Sequence, residues 1–169
     1  MSATPVTHLN FHGEARAALE FYATAFGGEA AIRTYADLGM PAGLPDSDRV
    51  VFGQVFAPGG FTVMAYDVPG VPDGAGAADG ESTPRPHASA PATPASTRRE
   101  NGMTITTAPF FLALNADTLD EATEHWNALS AGAAVVEPLA ASAWSPGFGM
   151  LTDRFGITWV LSVTAPQQS

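Results

Sequence analysis

The chain has 169 residues, 46% of them apolar and 14% charged, enough to bury a core as one domain or as two small halves. It contains no Cys, which excludes disulfide frameworks, thiolate metal sites and thiol nucleophiles. Seventeen carboxylates against seven basic residues, all of them Arg, give a net charge of −10, which repels a phosphate backbone or an anionic bilayer and argues against nucleic acid and membrane as partners.

Val6 to Phe11 carries a short strand pattern. From Gly13 onward, Ala15, Ala18, Leu19, Tyr22, Ala25 and Phe26 recur at helical spacing and make one apolar face, which Gly27-Gly28 terminates. Strand patterns follow at Ala30 to Tyr35, Val50 to Phe56 and Phe61 to Asp67, so residues 1–68 read as one βαβββ unit. Between Pro69 and Gly102, 24 of 34 residues are Pro, Gly, Ala, Ser or Thr, too few large apolar side chains to offset the entropy of ordering. This stretch reads as a flexible linker, either a passive insertion or a lid. Residues 103–169 repeat the first order. A strand runs from Phe110 to Ala116, and Thr118 with Glu121 makes an N-cap for a helix that buries Leu119, Ala122, Trp126 and Leu129. Gly132 ends the helix, and strands lie near Ala134 to Glu137, Phe148 to Thr152 and Ile157 to Thr164.

The two units share residues as well as order. Phe52-Gly53-x-Val55 followed by Gly60-Phe61-Thr62-x-Met64-Ala65 recurs 96 positions later as Phe148-Gly149-x-Leu151 followed by Gly156-Ile157-Thr158-x-Val160-Leu161. An internal duplication with an approximate twofold axis is the economical explanation. No stretch reaches the roughly 18 continuous apolar residues of a membrane helix, and the first twenty residues lack a basic start before an apolar run, so the expected location is the cytoplasm.

Leu9-Asn10-Phe11-His12-Gly13 leading into Leu19-Glu20-Phe21-Tyr22-x3-Phe26-Gly27-Gly28 resembles the vicinal oxygen chelate superfamily of glyoxalase, bleomycin-resistance and dioxygenase proteins. The similarity is to its PhnB-like branch, often labelled after 3-demethylubiquinone 3-methyltransferase, and continues through Met64-Ala65-Tyr66-Asp67 and Phe148-Gly149-Met150-Leu151-Thr152-Asp153-Arg154-Phe155-Gly156. It implies an α+β fold in which two βαβββ units pair into a cup-shaped mixed β-sheet with helices on the outside. It also implies homodimers.

Enzymes of that superfamily hold one divalent metal with His, Glu or Gln from the first and last strands of each unit. Counted from the motifs, those positions are Val6, Met64, Phe111 and Val160, none of which donates well to such a cation. No metal and no cofactor is therefore expected. Strand alternation puts His8 and Asn10, Thr62 and Tyr66, Ala113 and Asn115, and Thr158 and Ser162 on one face with them, with Phe111 and Trp144 as apolar wall. An apolar floor with scattered hydrogen-bonding groups suits an unidentified small molecule. His8 is a structural histidine, a ligand contact or a weak candidate for a general base. His12, His87 and His125 read as surface residues, Asp153 as a turn former, and Trp144, Phe148 and Trp159 as core or cavity wall.

A methyl donor normally rests on a Gly-rich turn between strand and helix, and the one candidate, Gly74-Ala75-Gly76, lies in the linker. The expectation is thus a metal-independent binding protein, sequestering a toxic or antibiotic-like compound, with a lyase, isomerase or dioxygenase as the alternative.

Overall fold

A computed structural model describes residues 5–70 and 96–164. The chain divides into two compact units, Met1–Thr93 and Pro94–Ser169. Both are α+β.

The first unit contains β1 (Thr7–Phe11), α1 (Ala15–Ala25), β2 (Glu29–Thr34), β3 (Val50–Phe56) and β4 (Thr62–Asp67). Its mixed sheet has the order β1-β4-β3-β2, with β1 parallel to β4 and the other pairs antiparallel. The expected helix face is the buried one: Ala15, Ala18, Leu19 and Tyr22 are fully enclosed, with Ala25 and Phe26 nearly so. They pack on Leu9, Phe11, Val55, Val63 and Ala65, the alternate residues of the strands, and among the described residues no helix of this unit covers the other side of the sheet. Gly27, at φ +61°, reverses the chain, and the Gly28 N–H donates to the Ala23 carbonyl at 2.7 Å.

The N-terminus of α1 is capped from a distance. Its Ncap residue, Glu14, makes no side-chain cap. Instead Asp67, 1% exposed at the end of β4, accepts from the N–H groups of Gly13 (2.7 Å) and Ala15 (3.0 Å) through Oδ1 and of Val50 (3.0 Å) through Oδ2. One carboxylate thereby ties the last strand to the helix start and to β3.

The second unit contains β5 (Thr97–Glu100), β6 (Met103–Thr106), β7 (Leu112–Ala116), α2 (Leu119–Leu129), β8 (Ala134–Ala140), β9 (Phe148–Thr152) and β10 (Thr158–Val163). Its sheet, β7-β10-β9-β8, repeats the order of the first. Here the helix caps itself: Thr118 Oγ1 accepts from the Glu121 N–H at 3.2 Å, and Glu121 Oε2 accepts from the Asp117 N–H at 3.0 Å. Asp153, 4% exposed, accepts from the N–H groups of Phe155 and Ile157 and from Trp159 Nε1 at 2.9 Å, which both forms the turn and fixes the buried indole.

The repeated Phe-Gly dipeptide has a packing reason. A Cβ on Gly53 would run into the Leu19 side chain, and one on Gly149 would meet Trp126 Cζ3 at 2.7 Å and the Leu139 backbone at 2.9 Å. In each unit the glycine lets a large side chain of the helix close onto the sheet.

Three expectations are corrected. The linker read over 69–102 ends early, because Thr97–Glu100 is a strand paired with Met103–Thr106. The reason is Asn101-Gly102, both at positive φ (+50° and +77°), a two-residue hairpin turn that needs no hydrophobic pattern around it. Leu119 is 46% exposed rather than part of the buried stripe, which Ala122 and Leu129 carry. Strand ends also differ: Val6 precedes β1, Phe111 precedes β7, and β8 continues to Ala140. Residues 71–95, with His87 and Gly74-Ala75-Gly76, lie outside the described residues.

Candidate functional site

The uncovered face of the first sheet is set by alternation and register. His8 stands beside Met64 and Asn10 beside Tyr66, while on the other flank of β4, Gln54 stands beside Met64 and Phe56 beside Thr62. Arg33, Ala31 and Glu29 of β2 continue the rows from Phe52, Gln54 and Phe56. All four residues expected here, His8, Asn10, Thr62 and Tyr66, therefore share one face. His8 Nδ1 lies 3.3 Å from Asn10 Oδ1, and the His8 and Tyr66 rings tilt against each other with centroids 5.3 Å apart. Phe52 (40% exposed) and Phe56 (54%) present their rings to solvent beside the Gln54 amide. Sequence reading missed Phe52, Gln54 and Phe56. Their signal was present in the period-two pattern Phe52-x-Gln54-x-Phe56 set against buried Gly53 and Val55.

The corresponding face of the second sheet is more crowded. Ser162 Oγ donates to Asn115 Oδ1 at 2.6 Å, Phe148 stands beside Ser162, and Trp144 meets Phe148 edge-on with centroids 4.8 Å apart. Trp144 is 63% exposed, so it is a surface ring and not core, because it sits in the loop before β9. Trp159 is core on the helix side. Thr158, expected to line the ligand surface, is instead 4% exposed, with its Oγ1 between Thr152 Oγ1 (3.0 Å) and Thr97 Oγ1 (3.2 Å) of the hairpin. Phe111 is half-buried just before β7.

The donor set does not suit a divalent metal. Met64 is flanked by His8 and Gln54, and Val160 by Ala113 and Met150, so each last-strand position carries an apolar side chain with at most one imidazole near it. Among the described residues no three His, Asp or Glu side chains converge. The two buried carboxylates among the described residues, Asp67 and Asp153, spend their oxygens on backbone and indole N–H groups. His12 is half-buried rather than at the surface, its backbone N–H donating to Glu14 Oε2 at 3.1 Å. The Tyr35 hydroxyl donates to the Asp67 carbonyl at 3.2 Å. Its pKa is raised above the ordinary phenol value by burial first and then by Tyr66, Asp67 and Asp46, with Arg49 opposing.

A separate concavity of about 470 Å³ lies beside Gly13 and Arg16, lined also by Asp46, Asp48, Arg49 and Asp67. Three of its charges are engaged within the fold: Arg49 Nε pairs with Asp46 at 2.9 Å, Arg49 Nη1 donates to the Val68 carbonyl, and Asp67 accepts from three backbone N–H groups. No helix among the described residues is long and apolar enough to cross a membrane.

Comparison with solved structures gives the fold a wider setting. A Pseudomonas aeruginosa protein, PA1353, is 27% identical with a TM-score of 0.65, covering 96% of this chain and 98% of its own. A Bacillus cereus PhnB protein described as a putative 3-demethylubiquinone-9 3-methyltransferase is 21% identical, with a TM-score of 0.62 and coverage of 96% and 100%. A glyoxylase/bleomycin resistance protein/dioxygenase domain from Frankia sp. EAN1pec is 14% identical, with a TM-score of 0.57 and coverage of 98% and 99%. No curated protein matches. Residues 7–161 match the glyoxalase family, described as the Glyoxalase/Bleomycin resistance protein/Dioxygenase superfamily, and the chain belongs to that superfamily.

Proposed function

We propose that this chain is a metal-independent small-molecule binding protein of the PhnB-like branch, acting in the cytoplasm by sequestering its ligand rather than transforming it. The observation that carries this reading is the open face of the first sheet. Two half-exposed phenyl rings lie beside an imidazole, a phenol and two carboxamides, on a sheet whose last strand offers Met64 where an enzyme of the superfamily would hold metal. Those groups recognise a flat, largely apolar molecule with hydrogen-bonding edges. Each half-exposed ring contributes about 1 kcal/mol when covered, and the amides of Asn10 and Gln54, which both donate and accept, set the orientation. The overall charge of −10 favours neutral or cationic ligands over anions.

A compound screen by thermal shift tests the reading, since a ligand that binds the native state raises apparent stability with its concentration. The expected hits are planar aromatic compounds whose shift is lost in Phe52→Ala and Tyr66→Ala and reduced in His8→Ala. Elemental analysis of protein purified without chelator supplies the overturning result: one equivalent of divalent metal that His8→Ala removes would favour a lyase, isomerase or dioxygenase. The chain is further proposed to form a homodimer. Light scattering that returns a monomer rejects that part alone.

A further inference from the structure

The second unit covers part of its own open face. β5 and β6 make an antiparallel hairpin with four residues in each strand, too small a pair to hold itself in water, so its order depends on what it rests upon. It rests by polar contacts. Thr97 Oγ1 reaches Thr158 Oγ1 at 3.2 Å, Arg99 Nε donates to Glu137 Oε2 at 2.9 Å, Arg99 Nη1 holds Thr104 Oγ1 at 2.9 Å, and that hydroxyl donates to Met150 Sδ at 3.7 Å. Met103 on the hairpin is 60% exposed.

What lies beneath is informative because the duplication supplies an internal control. Met150 and Thr158 are 2% and 4% exposed, whereas Gln54 and Thr62, their counterparts 96 positions earlier, are half-buried on an uncovered face. The same sheet positions are therefore accessible in one unit and occupied in the other. The occupant brings one cation, the Arg99 guanidinium, to Glu137, the carboxylate that stands beside Met150 on β8.

We infer that the β5–β6 hairpin is a built-in, displaceable occupant of the second unit's open face, and that Arg99 holds on Glu137 the place of a cationic group of the ligand. The ligand class is an aryl amidine, guanidine or amine, whose flat body lies on Met150 and Val160 while its charge replaces Arg99. Displacement is feasible because a partly exposed ion pair and a few hydroxyl bonds are weak anchors, and elements held in this way open locally without global unfolding. The inference deepens the proposed binding function and rests on the open faces being ligand surfaces.

Methionine oxidation by dilute hydrogen peroxide, mapped by mass spectrometry on the full chain, tests the cover. In the unmodified protein Met103 oxidises early and Met150 resists. Arg99→Gln should raise the Met150 rate about two- to fivefold by weakening the anchor, with Met64 of the first unit unchanged. Glu137→Gln, which removes the same ion pair from the other side, should do likewise. Met150 remaining protected in both variants, or rising only in step with Met64, overturns the inference. Amide exchange on the unmodified chain tests the cation: benzamidine should speed exchange at 97–106 and the neutral isostere benzamide should not. Equal effects, or none, overturn the ligand assignment. A screen without hits beside a Met150 that Arg99→Gln exposes would instead sink the binding function and leave the hairpin as a detachable cover.

Discussion

Replacing Asp67 by Ala removes an acceptor that three backbone donors share inside the first unit. The Gly13, Ala15 and Val50 N–H groups all point at this carboxylate, which is 1% exposed, and the helix start has no other side-chain cap. Leaving one buried donor unpaired costs about 1 to 3 kcal/mol, and losing a helix cap about 1 kcal/mol. Water reaching the partly buried Gly13 N–H offsets some of this, so the expected loss is about 4 kcal/mol, a large part of the stability of a small unit. With a urea slope of about 2 kcal/mol per molar, the midpoint falls by about 2 M. The chain carries its own reporters: Tyr22, Tyr35 and Tyr66 all lie in the first unit, and Trp126, Trp144 and Trp159 all lie in the second. Urea unfolding followed by tyrosine fluorescence, with tryptophan read separately, is the assay. Asp67→Asn, which keeps one acceptor oxygen, should recover about half of the loss. A tyrosine-detected midpoint within about 0.5 M of the parent for Asp67→Ala, less than 1 kcal/mol, would refute the account of Asp67 as the shared cap.

Gly149→Ala should cost about 2 to 3 kcal/mol, because the added methyl meets the Leu139 backbone and Trp126, and tryptophan-detected urea unfolding will show a lower midpoint. Thr118→Ala should cost about 1 kcal/mol in the same assay, and Thr118→Ser very little, since either hydroxyl can receive the Glu121 N–H. Tyr35 has a folded-state pKa above its unfolded value, so its contribution to stability is fully present below the ordinary phenol pKa of about 10 and is lost as pH rises through the folded value. Ultraviolet difference titration should show a component above the free-phenol value that Tyr35→Phe abolishes. Its absence in the parent would contradict the burial assigned to this hydroxyl.

Periodicity carried most of the architecture. The α1 face was legible because six apolar residues at helical spacing end on Gly27-Gly28, and every one of the six is buried. The α2 stripe was less legible, since Leu119 has the right spacing but sits at the exposed first turn. The hairpin was missed for a different reason. Its strands hold polar residues and only two large apolar ones, Met103 and Ile105, so an argument from burial passes over them, although Asn101-Gly102 is a strong local turn signal. Asp67 was invisible as a cap because its partners lie 52 and 54 residues before it and 17 residues before it, a distance that capping rules based on neighbours do not span. For the site, alternation placed His8, Asn10, Thr62 and Tyr66 together, but it could not show that a hairpin from the same unit would seal Thr158.

The two copies diverge where packing does not hold them. On the helix side, both keep Gly at 53 and 149 and a Leu at 9 and 114, positions where a change of volume is felt at once. On the open side, His8 becomes Ala113, Gln54 becomes Met150 and Tyr66 becomes Ser162, while Asn10 and Asn115, Phe52 and Phe148, and Thr62 and Thr158 stay the same. The imidazole of His8, the carboxamide of Gln54 and the phenol of Tyr66 thus have no counterpart at the matching positions of the second unit, which puts a methionine under its own hairpin where the first leaves a glutamine open. If both faces did nothing but finish a sheet, either copy's polar set would serve in both. Concentrating the hydrogen-bonding groups on the open face of one unit and an Arg-anchored cover on that of the other is the asymmetry expected when each face has its own task, the first polar and open, the second apolar and guarded. Transplanting the first unit's set by Met150→Gln, which places a carboxamide beneath Thr104, should therefore loosen the hairpin and speed amide exchange at 97–106, while the reverse change, Gln54→Met, should leave the first unit's stability within about 0.5 kcal/mol.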